Sequence, residues 1–173
     1  MPSLVLGGEF PSNADPLHRT NIPSPDQRYV ASLGRDKSGE SNLLIGPSHG
    51  MAKFVRDLGS EDGEHGEIIL QAEWTPDSRF FVIITEHAGG HGPLMHPIYF
   101  WDRQTNLFYS LDRALGGTTR GFKVKHPDIV SGRRLDAKDG DGDDNAVEFS
   151  VSLRKYLKKE FEQPNIGLNG RRP

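Results

Sequence analysis

The chain has no cysteine in its 173 residues. That excludes disulfides, thiolate metal centres and a cysteine nucleophile, and leaves the redox compartment open. It also lacks any apolar run near the roughly 20 residues that a membrane-spanning helix requires. Its first residues, Met1-Pro2-Ser3-Leu4-Val5-Leu6-Gly7-Gly8, have neither the basic start nor the long apolar middle of a signal peptide. No membrane insertion is expected. Positive charge is not in excess either: a formal net charge of -3 offers no general attraction to nucleic acid or anionic lipid, so no nucleic-acid partner is expected. The motifs G-x-S-x-G and H-E-x-x-H and a phosphate-cradling glycine loop are absent. Ser48-His49 has no carboxylate placed to orient it. The chain is therefore expected not to be an enzyme.

What is present points to strands. Apolar content is a modest 34%, Gly (20) and Pro (12) are abundant, and strand-favouring residues come in short runs separated by turn residues. This profile predicts an all-β chain rich in hairpins, of a length that suits a single domain. The organising stretch is Glu73-Trp74-Thr75-Pro76-Asp77-Ser78-Arg79-Phe80, followed by the apolar run Phe81-Val82-Ile83-Ile84. Proline presets φ for the second position of a turn and aspartate can accept from its own downstream backbone, so Thr-Pro-Asp-Ser between apolar runs reads as a hairpin. The same phrase recurs as Ser24-Pro25-Asp26-Gln27-Arg28-Tyr29-Val30 and as His126-Pro127-Asp128-Ile129-Val130, at a constant interval of 51 residues. A fixed period of that size predicts repeated supersecondary units.

Three four-stranded antiparallel meanders follow, over about residues 17–58, 68–112 and 121–162. The second is the best formed, and its strand Phe80 to Thr85, apolar almost throughout, is expected to be covered on both faces. Trp74 and Trp101 each close an apolar strand and are expected in the core. In the third unit Phe122 and Val124 alternate with Lys123 and Lys125, and Val147, Phe149, Val151 and Leu153 alternate with Glu148, Ser150 and Ser152, as half-buried strands do. Its fourth strand is ambiguous. Leu153, Tyr156, Leu157 and Phe161 have helical spacing, so Ser152 to Glu162 is read as a short amphipathic C-terminal helix with a solvated basic face, and Leu4-Val5-Leu6 as the candidate replacement strand. Residues 164–173 read as a mobile tail.

Trp74-Thr75-Pro76-Asp77-Ser78-Arg79-Phe80, a β-rich run, then Ile98-Tyr99-Phe100-Trp101-Asp102 and a turn ending in Thr105-Asn106 resemble the blade repeat of TolB-type and WD-like β-propellers. The likeness is close in the second repeat, fair in the first, and reduced to Pro127-Asp128 in the third. It implies a propeller-like arrangement of the three sheets serving as a rigid platform for loops. Propellers have roughly 4–8 blades, so three sheets imply either an open or compressed monomer, the preferred state, or a homodimer that completes a ring.

That resemblance also implies that the loops between second and third strands share one face: Arg35 to Glu40, Glu86 to His96, and Asp136 to Asn145. The candidate partner-binding residues are accordingly Glu86, His87, His91, Met95, His96 and Asp144. Asp139, Asp141 and Asp143 put oxygen ligands at alternate positions and, with Glu148, form a candidate calcium site that resembles the calcium loops of EF-hand and integrin-type propeller repeats. His87, His91 and His96, near Glu86, are a lesser candidate for zinc or copper. The expected function is non-enzymatic binding of a protein partner, as an inhibitor or immunity-type protein of the bacterial envelope or secreted space. The alternatives are a calcium-dependent carbohydrate- or small-molecule-binding module and a self-assembling structural half-propeller.

Overall fold

The repeated Pro-Asp phrase folds the same way twice. In the first copy the Ser24 hydroxyl donates to Asp26 Oδ1 at 2.7 Å and accepts from the Tyr29 amide at 3.0 Å, while the Arg28 amide donates to Asp26 Oδ1 at 3.1 Å. In the second copy the Thr75 hydroxyl donates to Asp77 Oδ1 at 2.7 Å and accepts from the Phe80 amide at 3.0 Å, while the Arg79 amide donates to Asp77 Oδ1 at 3.1 Å. Gln27 and Ser78, one residue past each aspartate, take the left-handed conformation with φ of 57° and 59°. The equivalence extends to the next strands. Ser48 Oγ donates to the Gln27 carbonyl at 2.5 Å and Arg103 Nη1 to the Ser78 carbonyl at 3.4 Å, so a different side chain satisfies the equivalent backbone oxygen in each repeat.

This computed structural model describes residues 14–37, 39–60, 65–88, 96–115, 117–136 and 146–163. The expected all-β class holds, with three antiparallel sheets in chain order. The first sheet is the meander β1 (Ala14–Pro23), β2 (Tyr29–Asp36), β3 (Ser41–Pro47) and β4 (Phe54–Asp57). The second has the order β12-β8-β7-β6-β5, built from β5 (Glu67–Trp74), β6 (Phe80–His87), β7 (Ile98–Asp102), β8 (Leu107–Ser110) and the short β12 (Glu162–Gln163). The third is β9 (Gly117–Lys125), β10 (Ile129–Asp136) and β11 (Ala146–Ser152), with β10 in the middle. The sheets thus hold four, five and three strands among the described residues, where four each were expected.

Two compact units result, one centred on the first sheet and the other on the second and third. In the first unit Val30, Ala31, Leu43, Leu44, Ile45 and Phe54 are buried. Glu40 is fully buried with them, and its carboxylate accepts from the Ser60 amide at 2.7 Å, the Ser60 hydroxyl at 2.8 Å and the Gly66 amide at 2.7 Å. A carboxylate with three donors is a sound way to hold a polar loop against a core. Gly66 is required there, because a Cβ would sit 2.3 Å from the Glu40 carboxyl carbon.

In the second unit, alternation along each strand sorts side chains onto two faces. Phe80, Val82, Ile84, Ile98, Phe100, Tyr109 and Leu111 form one layer, which packs with Phe122, Val130 and Leu153 and the half-buried Val124, Phe149 and Val151. Phe81, Ile83, Trp101 and Phe108 alternate with that layer and are fully buried too. β6 is therefore covered on both faces as its sequence predicts, and both tryptophans lie in the core, edge to face with ring centroids 6.1 Å apart.

Asp102, wholly buried, closes the hairpin between β7 and β8. It accepts from Arg79 Nε at 3.0 Å, the Gln104 amide at 3.2 Å and the Thr105 hydroxyl at 3.0 Å. One helical turn, α1 (Leu111–Leu115), follows β8 where the sequence reading placed the end of a strand and a linker. Leu111 is its buried residue and completes the core.

The segment after β11 is not an amphipathic α-helix. Leu153–Tyr156 and Lys159–Phe161 are separate 3-10 turns, and the chain then adds β12 beside β8, pairing Glu162 with Tyr109. Two constraints stop the helix. The Leu153 amide still belongs to the β ladder, donating to the Asp128 carbonyl, and Leu157 leaves helical geometry at ψ 56°. Helical spacing nevertheless did identify buried positions, since Tyr156, Leu157 and Phe161 pack on the core.

Candidate functional site

Of the residues proposed for a partner-binding loop face, His91, Met95 and Asp144 lie outside the described residues, as do Asp139, Asp141 and Asp143 of the candidate calcium loop. Leu4-Val5-Leu6 and the tail from Pro164 also lie outside them. Glu86 is half-buried and His87 exposed at the end of β6, and the chain just beyond is tied down by the Ala88 amide donating to the Gly66 carbonyl at 2.8 Å. His96, half-buried before β7, accepts the Thr119 hydroxyl on its carbonyl at 3.2 Å, and its Nδ1 is buried without a hydrogen-bond partner among the described residues. Among the described residues no group of three or more His, Asp or Glu side chains is arranged to hold a metal ion. Glu148 stands on β11 directly across from Arg133 of β10. Its nearest cross-strand neighbour is thus a cation.

That neighbourhood forms a groove of about 650 Å³ on the third sheet. Its origin is local. β9 and β10 shift register between Gly132 and Arg134, and the two glycines at the bend, Gly121 and Gly132, let the two strands approach closely there. Gly132 cannot be anything larger in this backbone: its Cβ would lie 2.6 Å from the Gly121 carbonyl oxygen and 3.1 Å from the Phe149 ring. Gln71 of β5 fastens the same bend. Its amide nitrogen donates to the Phe122 carbonyl at 2.8 Å and its amide oxygen accepts the Phe122 N–H at 3.2 Å, satisfying both backbone groups of Phe122 on the side of β9 away from β10.

The rim carries the charge. Register puts Lys123 beside Ser131 and Ser131 beside Ser150, while Arg133 stands beside Glu148. All of these residues line the groove together with Lys125. Lys123, Lys125, Arg133, Glu148 and Ser150 are exposed. Three cations and one carboxylate on one face of the sheet, opposite the face on which Phe122 and Phe149 pack into the core, favour a ligand that is anionic and extended. The alternation Phe122-Lys123-Val124-Lys125 marked β9 as half-buried. The same alternation already placed two lysines on one outer face, but Arg133 and the glycine bend that completes the groove come from a different strand.

At the turn that follows Lys125 the Pro-Asp phrases are joined. The Asp77 amide donates to the Pro127 carbonyl at 3.4 Å. Arg154 spans both turns, with Nη2 2.8 Å from Asp77 Oδ2 and Nε 3.6 Å from Asp128 Oδ2. Asp128, 3% exposed, also accepts from the Ser152 hydroxyl at 2.7 Å and the Arg154 amide at 3.2 Å. Arg154 is therefore an architectural residue, where its sequence context suggested a solvated basic face.

No known protein family, curated protein or solved structure matches this chain.

Proposed function

We propose that this chain is a non-catalytic protein-binding domain, and that it receives an acidic, extended segment of its partner in the groove on β9–β11. The observation that carries this reading is the convergence of Lys123, Lys125 and Arg133 on one concave sheet face in a chain whose net charge is -3. Cations concentrated locally against the overall sign of the molecule steer an anionic ligand to one place. The buried carboxylates give indirect support. Glu40, Asp102 and Asp128 are each saturated with hydrogen bonds that hold loops and turns, which assigns them to architecture. The partner class extends the sequence expectation of protein binding and moves its centre from the histidine and aspartate loops to the third sheet.

A fluorescently labelled peptide rich in Asp and Glu tests the proposal by anisotropy titration. Binding should weaken steeply with added salt, and reversing the rim charges with Lys123→Glu, Lys125→Glu and Arg133→Glu together should lower affinity at least about tenfold, since each exposed cation close to an anionic ligand contributes a fraction of a kcal/mol to about 1 kcal/mol. Affinity unchanged by the reversal would refute the groove as the site. The calcium-dependent alternative, resting on Asp139, Asp141 and Asp143, makes the opposite demand: binding would vanish in chelator and be indifferent to the reversal.

A further inference from the structure

β11 is one of the two outer strands of the third sheet, and its edge, unpaired among the described residues, is regular. It runs seven residues, Ala146–Ser152, and pairs with β10 at every position without a register shift. Most other outer strands are interrupted or short: β1 contains Pro23 and a register shift, β9 has a register shift against β10, β4 has four residues and β12 two, while the eight-residue β5 carries Glu67 and Glu73 near its two ends. Proline, bulges and brevity are the usual means of blunting an edge against further pairing, and β11 uses none of them. Its only charged residue is Glu148. Val147 is 49% exposed, a large apolar side chain at the rim of the core layer to which Phe149 and Val151 belong.

The edge also has a defined hydrogen-bonding phase. The Leu153 amide donates to the Asp128 carbonyl, which fixes the odd-numbered residues of β11 as those whose backbone groups point towards β10. In an antiparallel ladder the phase alternates, so Glu148 and Ser150 direct their N–H and C=O groups outwards. No other described strand pairs with that edge.

We propose that β11 pairs antiparallel with β11 of a second copy of this chain, about a twofold axis at Phe149. The strand is written for it. Around Phe149 the sequence reads Val147-Glu148-Phe149-Ser150-Val151, so the apolar positions are palindromic and each valine meets the other copy's opposite valine on the same face. The outward-pointing residues fall in register as hydrogen-bonded pairs, Glu148 with Ser150 of the second copy and Ser150 with its Glu148. The valine palindrome selects this register, and charge excludes a neighbouring one. Sliding the axis to Glu148 would place two carboxylates side by side, which is destabilising in a cross-strand pair. The joined sheet carries Lys123, Lys125 and Arg133 of both copies on one continuous face, because all of them lie on the side of the sheet that Glu148 and Ser150 share.

Sedimentation velocity across a concentration series tests this directly. The wild-type chain should move from monomer towards twice the monomer mass as concentration rises. Ser150→Glu, which sets two glutamates opposite each other at both ends of the ladder, should shift the midpoint to at least tenfold higher concentration. Adding Glu148→Lys to that variant should restore dimerisation, since each lysine then faces a glutamate across the axis. A wild-type chain that stays monomeric throughout, or a dimer indifferent to Ser150→Glu, would overturn the proposal. Amide hydrogen exchange on the unaltered protein gives an independent readout: the Glu148 and Ser150 amides should gain at least tenfold protection between dilute and concentrated samples, and equal exchange in both would also overturn it.

Discussion

Among the described residues of the second unit, burial raises the pKa of two carboxylates, Glu73 and, more strongly, Asp112. Asp112 lies in the first turn of α1, its Oδ1 is buried with no hydrogen-bond partner among the described residues, and burial raises its pKa from 3.8 to about 6. A folded-state pKa above the unfolded value means that the protonated form is the favoured one in the fold. The resulting stability is fully present below about pH 4 and is lost as pH rises through about 6. Asp112→Asn should therefore stabilise the fold at pH 7 by on the order of 1 kcal/mol once screening by solvent is allowed for, and so raise the melting temperature. It should also flatten the profile between pH 4 and 7. Equal melting temperatures for variant and wild type at pH 7 would show that the carboxylate finds compensation in solution.

Elements are held by a few buried acceptors, and these divide into what the sequence announces and what it hides. The turns at Asp26 and Asp77 were legible because every bond in them is between residues at most five apart, so proline, aspartate and a hydroxyl at fixed offsets carry the whole mechanism. Glu40 and Gln71 were not, because their partners Ser60, Gly66 and Phe122 lie 20, 26 and 51 residues away. The third Pro-Asp phrase shows both cases. Its spacing predicts a turn, yet Asp128 spends its carboxylate on Ser152 and Arg154 from beyond β11. Asp128→Ala should thus cost roughly 2–4 kcal/mol, because it leaves buried donors without their acceptor. Arg154→Ala, at a half-exposed pair, should cost less than about 1 kcal/mol. Chemical denaturation of both variants checks the ordering, and equal costs would mean that Arg154 rather than Asp128 organises the junction.

For the whole molecule, periodicity conveyed sheets better than sites. A period of 51 residues with alternating apolar runs was enough to give three antiparallel meanders in order, since each is built from neighbours in sequence. It overpredicted the third sheet, where the chain turns away after Leu153 and contributes its last strand to β8 instead. The groove was harder to see, because its cations come from β9 and β10, its carboxylate from β11, and its bend from the register shift beside Gly132. Long polar loops drew attention as the conspicuous feature of a repeat, whereas a binding surface on a sheet face is composed of ordinary alternation seen from the outside.

The most direct test of that surface is to titrate an Asp- and Glu-rich peptide into isotopically labelled protein and follow every backbone amide by NMR. The proposed function predicts that the largest shifts fall on Lys123, Ser131, Arg133 and Ser150, with the Asp26 and Asp77 turns unmoved. Shifts concentrated at Glu86, His87 and His96, or none at all at saturating peptide, would contradict it.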